Sequence, residues 1–228
     1  MEDLGEAQNF RVEMAKHKCS EEKARRLAKD NIFRKTVVFG LGMTGLFMAD
    51  QIRRHHPDAE ILFVGRSDES CKKVVFSKEI AKADYLCTSG LNEKETAEKI
   101  IEKLGGRATM FIGTSGSNVE HKVAFEHKVL GCNGVYNSFS LGPVVKYDTM
   151  PFGFENHVIF ASINFRQSHM EKAIEVLVDS RYDEVVELID KDEFTADPLY
   201  AYENKIFCKG APLKTGVIWN KKYIDEDK

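Results

Sequence analysis

Along this chain short apolar runs alternate with stretches of helical period. TVVFG (36–40) is a compact β-branched run, and LFMADQIRRHH (46–56) repeats apolar residues at Leu46, Phe47, Ala49 and Ile52. The first predicts a strand and the second a helix, broken at Pro57-Asp58. EILFVGR (60–66) predicts the second strand, followed by a Ser/Asp-rich turn and a lysine-rich stretch, and YLCTS (85–89) the third. KETAEKIIEKLGG (94–106) is an amphipathic helix stopped by Gly105-Gly106. ATMFIGTSG (108–116) is a buried strand ending in small residues, EHKVAFEHKV (120–129) is helix-like, and NGVYNSFSLG (133–142) is strand-like. HVIFASINF (157–165) is the last strong strand before the helix HMEKAIEVLVD (169–179). Strands separated by helix-length segments mean repeated βαβ units, hence an α/β fold with a doubly wound parallel sheet covered on both faces. Residues 1–32 form a charged, helix-prone N-terminal segment in which Ser20 is a candidate N-cap ahead of Glu21 and Glu22. Residues 33–177 make the main domain and 178–228 a short C-terminal segment.

The first strand meets the first helix at G-x-G-x-x-G, with Gly40, Gly42 and Gly45 at the spaced positions. At such a junction the first glycine makes the tight turn, the second lets backbone approach a pyrophosphate, and the third permits close helix–strand packing. The anion would rest on the amides that open the helix, at Met43, Thr44 and Gly45, where unpaired N–H groups and the helix dipole favour negative charge. A flexible turn at a strand end is the competing reading of the same glycines. The tip of the second strand bears on which dinucleotide is bound. It reads Val64-Gly65-Arg66-Ser67, without the acid that usually takes the ribose diol. Arg66 can fork onto a 2′-phosphate and Ser67 can donate to it, so NADP is expected in preference to NAD. Asp68 serves the ribose instead if the strand runs longer, and a solvated surface arginine is the plain alternative.

Composition narrows the partners. A formal net charge of -3 over 228 residues, with 30% charged, gives no basic field to draw nucleic acid or anionic membrane. No apolar stretch approaches the roughly 20 residues of a membrane span, and the N-terminal residues do not resemble a signal peptide. The five cysteines are scattered without a C-x-x-C, which fits reduced thiols in the cytoplasm and no zinc cluster.

In order, VVFGLGMTGL, ILFVGRSD, MFIGTSGS, NGVYNSFSLG and HVIFASINFRQSHMEKAIEVL resemble the cofactor-binding Rossmann domain of medium-chain zinc-dependent dehydrogenases. The archaeal glucose dehydrogenase branch is the most similar. The resemblance covers about Phe33 to Leu177; KDEFTADPLYAYENK and LKTGVIW are similar to the segment with which that family returns to its catalytic domain. It implies that small residues after the fourth, fifth and sixth strands face the nicotinamide half of the cofactor: Thr114, Ser115, Ser140, Leu141, Ser162 and Asn164. It also implies an NADP-dependent sugar or alcohol dehydrogenase. The chain departs from the family at its start, which lies almost at the cofactor domain, so the zinc-binding catalytic half is expected to be absent from this chain.

No substitute for that half is legible. His55 and His56 point to different helix faces, His121 and His127 are six apart, and no Glu-x-x-His or His-Glu pair occurs. These histidines read as surface or capping residues, Cys87 and Cys132 as small core residues, and Arg53-Arg54 and Lys72-Lys73 as solvated charge pairs. Gly45 leads to Leu46 and Phe47 with no Walker lysine, and there is no G-x-S-x-G elbow. Three functions stay open: the cofactor part of an NADP-dependent dehydrogenase, a non-catalytic NADP sensor or assembly module, and an empty fold. The apolar strand near His157 to Phe165 should end the sheet, which predicts a homodimer through that edge unless LKTGVIW folds back to cover it.

Overall fold

A computed structural model describes residues 13, 19–23, 25, 32–140, 142, 149–161, 166–178, 180–206 and 213–219. They fall into two compact units, one of residues 1–69 and 77–164 and the other of residues 70–76 and 165–228.

The first unit carries six parallel strands: β1 (Lys35–Phe39), β2 (Glu60–Gly65), β3 (Asp84–Cys87), β4 (Ala108–Gly113), β5 (Leu130–Ser138) and β6 (Val158–Ala161). Their spatial order is β3-β2-β1-β4-β5-β6, so the direction of winding reverses between β1 and β4. This is the doubly wound Rossmann topology, with a crevice outside the strand C-termini at the reversal. The connections are α1 (Met43–His55), α2 (Lys72–Ala81), α3 (Glu93–Lys103), α4 (Asn118–His121, continued by a wide π-type turn over Lys122–Glu126) and α5 (Thr149–Glu155).

Burial on both faces explains why the strands read as apolar runs rather than alternating ones. Val37, Phe39, Leu62, Val64, Phe111 and Tyr136 pack on one face with Ala97, Ile100 and Leu104 of α3 and with Val123 and Ala124. Phe39, Phe111 and Tyr136 stack in sequence across neighbouring strands, at centroid distances of 5.8 and 5.5 Å. Residues of the other parity, Val38, Phe63, Met110 and Ile112, are equally buried on the opposite face. Helix α3 starts on a capping box, Asn92 accepting from the Glu95 amide while the Glu95 side chain accepts from the Asn92 amide, both at 2.9 Å. In the N-terminal segment, Ser20 Oγ accepts from the Lys23 amide at 3.4 Å, the geometry expected of its N-cap role.

Among the described residues β6 is the last strand of the sheet. Within LKTGVIW, Lys214–Ile218 form β8, which pairs in parallel with β7 (Val186–Asp190) in a two-stranded sheet of the second unit. That unit also holds α6 (Gln167–Leu177), α7 (Lys191–Ala196) and α8 (Pro198–Ala201). Ile189 and Ala201 are buried there, and Phe194 meets Trp219 edge-on at 6.3 Å.

Candidate dinucleotide site

The three glycines of the first turn have three different environments. Gly40 has φ +113, a backbone conformation that L side chains avoid, and a Cβ there would lie 2.6 Å from Thr114 Oγ1 and 3.0 Å from Ser115 N. At Gly45 a Cβ would lie 2.5 Å from the Gly40 carbonyl oxygen and 3.1 Å from Val38 Cγ1, so the glycine is what lets α1 approach β1. Gly42 is under neither constraint: φ -118 and ψ 178 suit any residue, and among the described residues no atom lies within 4 Å of where its Cβ would be. It is the N-cap of α1, makes no side-chain cap, and is followed by a first turn without acids. The helix therefore opens on an uncapped set of amides at Met43, Thr44 and Gly45 next to open space, the polarity an anion needs.

The turn after β2 is braced from below. The Tyr85 hydroxyl donates to the Ser67 carbonyl at 2.8 Å, and the Thr88 amide and hydroxyl both donate to the Gly65 carbonyl, at 2.8 and 3.1 Å. The Arg66 side chain is left exposed, with Ser67 half-buried beside it.

The residues after β4 and β5 are already engaged by the protein. Thr114 Oγ1 lies 3.1 Å from both the Phe39 and Gly40 carbonyl oxygens and donates there, clamping the glycine turn. Ser115 donates through its amide and its hydroxyl to Glu120, at 3.0 and 2.6 Å, and Ser140 donates to the same carboxylate at 3.1 Å. Leu141, Ser162 and Asn164 lie outside the described residues.

Sequence reasoning missed Glu120. It is fully buried and sits where Gly113 makes room: a Cβ on Gly113 would lie 2.7 Å from Glu120 Oε1 and 2.5 Å from the Tyr136 hydroxyl. The available signal was Ser117-x-x-Glu120, which has the spacing of a capping box. Ser117 does cap, accepting from the Val119 amide at 3.1 Å, but the glutamate turns inward.

Other expectations need correction. His121 is neither a surface nor a capping residue: it is 6% exposed, its ring centroid is 5.1 Å from that of Tyr136, and burial lowers its pKa against the raising effect of Glu120. Cys132 is exposed rather than in the core. Its thiol donates to Glu155 at 3.1 Å, and that hydrogen bond, with burial, pushes the thiol pKa up. Burial raises Glu155, but the hydrogen bonds from Cys132 and Arg107 and the Arg107 charge outweigh it and hold the carboxyl below its ordinary value. Arg53 is no solvated charge, since its guanidinium donates to the carbonyls of Pro57, Ala81 and Lys82 and so ties α1 to the end of α2. Among the described residues no group of three or more His, Cys, Asp or Glu converges as a metal site.

The fold recurs in solved structures. Haloferax mediterranei glucose dehydrogenase in complex with NADP, Zn and gluconolactone matches 93% of this chain with a TM-score of 0.64 at 16% identity. The fold is shared with dehydrogenases. 2R,3R-butanediol dehydrogenase from Bacillus subtilis matches 88% of the chain with a TM-score of 0.64 at 17% identity. An Escherichia coli alcohol dehydrogenase complexed with NADH matches 80% with a TM-score of 0.59 at 15% identity. The chain spans 57%, 58% and 51% of the lengths of these three proteins. No family model matches the chain, and no curated protein matches it.

Proposed function

We propose that this chain is the NADP(H)-binding domain of a medium-chain dehydrogenase-like oxidoreductase acting on a sugar or alcohol, with the zinc-binding catalytic half lying outside residues 1–228. Gly42 carries the reading. The fold itself requires Gly40 and Gly45, but nothing within the described residues requires a glycine at 42. A ligand that must come close to the backbone at the helix start does require one. A bound nicotinamide supplies hydride transfer, and the part left to these residues is to hold and orient the cofactor.

In this reading the amides of Met43, Thr44 and Gly45 receive the pyrophosphate, and Arg66 with Ser67 takes the 2′-phosphate, which selects NADP over NAD. Thr114, Ser115 and Ser140 shape the other half of the crevice, and the resemblance adds Leu141, Ser162 and Asn164 as contacts of the nicotinamide half. The position of β6 as the last strand among the described residues, with Ile159 40% exposed, supports a homodimer through that strand. The free thiols at Cys19, Cys71, Cys87 and Cys132 suit a cytoplasmic setting, and among the described residues no helix is long and apolar enough to cross a membrane.

Titration with NADPH tests the reading, and absence of binding removes it.

A further inference from the structure

The ends of β4 and β5 are paired through their backbones, with the Phe139 amide donating to the Gly113 carbonyl at 2.9 Å, and Glu120 adds a buried side-chain link between the segments that follow them. Its Oε2 accepts the amide and the hydroxyl of Ser115, which follows β4, and its Oε1 accepts the hydroxyls of Ser140 and Tyr136, which lie after and within β5. The Tyr136 contact is the longest, at 3.4 Å. The Ser117 amide donates to Ser115 Oγ at 3.2 Å, which leaves that hydroxyl's own hydrogen for Glu120. All of these contacts bring donors to an acceptor, as a buried carboxylate needs if it is not to be costly.

The strand reversal assigns these contacts to one side of the crevice. β1, β2 and β3, with Arg66, form one mononucleotide-binding half, and β4, β5 and β6 form the other. All of the partners just named belong to the second half. Resting on the dinucleotide reading, we propose that Glu120 is a positioning residue for the nicotinamide half of the cofactor. It fastens the β4 and β5 loops to each other, so that the floor of that half is formed before the ligand arrives. The adenosine half does not depend on it.

Adenosine 2′,5′-bisphosphate carries the adenosine half of NADPH without the nicotinamide riboside, so the two ligands separate the halves. Calorimetric affinities for both, with melting temperatures, are measured on the wild type, Glu120→Ala, Glu120→Gln and Ser140→Ala. Glu120→Ala should weaken NADPH roughly ten-fold, because the β4 and β5 loops must then be ordered at the expense of binding, and leave the bisphosphate unchanged. Glu120→Gln, which keeps the shape and one acceptor oxygen, should restore part of the NADPH affinity. Equal loss of both ligands, or unchanged NADPH affinity in a folded Glu120→Ala, overturns the proposal. If Glu120→Ala does not fold, Ser140→Ala removes the shorter of the two β5 contacts to Glu120 and must still lower NADPH affinity alone; a parallel drop or none overturns the proposal. A wild-type chain that binds neither ligand overturns the dinucleotide reading itself, before any variant is compared.

Discussion

Replacing Gly42 with valine should separate binding from folding, and the size of each effect follows from the turn. The backbone at 42, φ -118 and ψ 178, is one that a β-branched residue adopts freely, and among the described residues its Cβ meets nothing within 4 Å. Removing a glycine from the unfolded chain stabilises by about 0.4–1 kcal/mol. Valine is a poorer N-cap than glycine and gives back a similar amount, up to about 1 kcal/mol. The net effect is close to zero, so the melting temperature should stay within about 4 °C for a chain of this length. Binding should suffer far more. The isopropyl group fills the space through which a pyrophosphate reaches the helix amides, and loss of charge-assisted hydrogen bonds at about 1.5–3 kcal/mol each lowers NADPH affinity at least ten-fold. Gly45→Ala is the control with the opposite signature. Its Cβ would press to 2.5 Å from the Gly40 carbonyl, so α1 must shift, at a cost of about 1–3 kcal/mol in stability. Thermal melts and NADPH fluorescence titrations on the two variants decide the matter. A folded Gly42→Val that binds NADPH as the wild type does, or one that unfolds as Gly45→Ala does, refutes the argument.

Arg66→Ala should weaken NADPH by about 1.5–3 kcal/mol and leave NADH nearly unchanged, because only the 2′-phosphate meets the guanidinium; equal losses by calorimetry would remove Arg66 from the site. Ile159→Lys should turn a dimer into a monomer in light scattering, and a wild type already monomeric at micromolar concentration sinks the edge-strand dimer. Burial lowers the pKa of His121 and His157 in the folded state. The unfolded chain therefore takes up their protons first, and stability present above about pH 6.5 is lost as pH falls toward the folded values. Melts at pH 7.5 and 5.5 should show the drop, and it should shrink in His121→Gln. Glu155→Gln weakens the hydrogen bond, and removes the charge, by which Glu155 raises the Cys132 thiol pKa, and leaves Arg107 beside it, so labelling of Cys132 by iodoacetamide, followed by mass spectrometry, should accelerate. An unchanged rate would contradict the assigned cause.

The parts legible in the sequence are those set by local sterics. The glycine spacing, the apolar runs of β1, β2 and β4, and the Gly105-Gly106 stop each depend on residues within a turn of one another, and the winding order follows from alternating elements. Glu120 was hidden because its partners are 5, 16 and 20 residues away and meet it only once β4 and β5 are paired. His121 was misread because helical spacing from His127 assumes a regular helix, and the wide turn at Lys122–Glu126 breaks that phase. The second sheet was missed for a different reason. VELID and KTGVI are short, mostly exposed or half-buried strands with little apolar alternation, and they pair only across an intervening helical segment.

The space at Gly113 has a genealogical consequence. Glu120 and the Tyr136 hydroxyl already occupy the position a side chain on residue 113 would take. A side chain at 113 therefore requires both Glu120 and Tyr136 to give way, whereas position 120 can change while glycine stays at 113. In descendants or ancestors of this chain a side chain should arrive at 113 only after both 120 and 136 have changed.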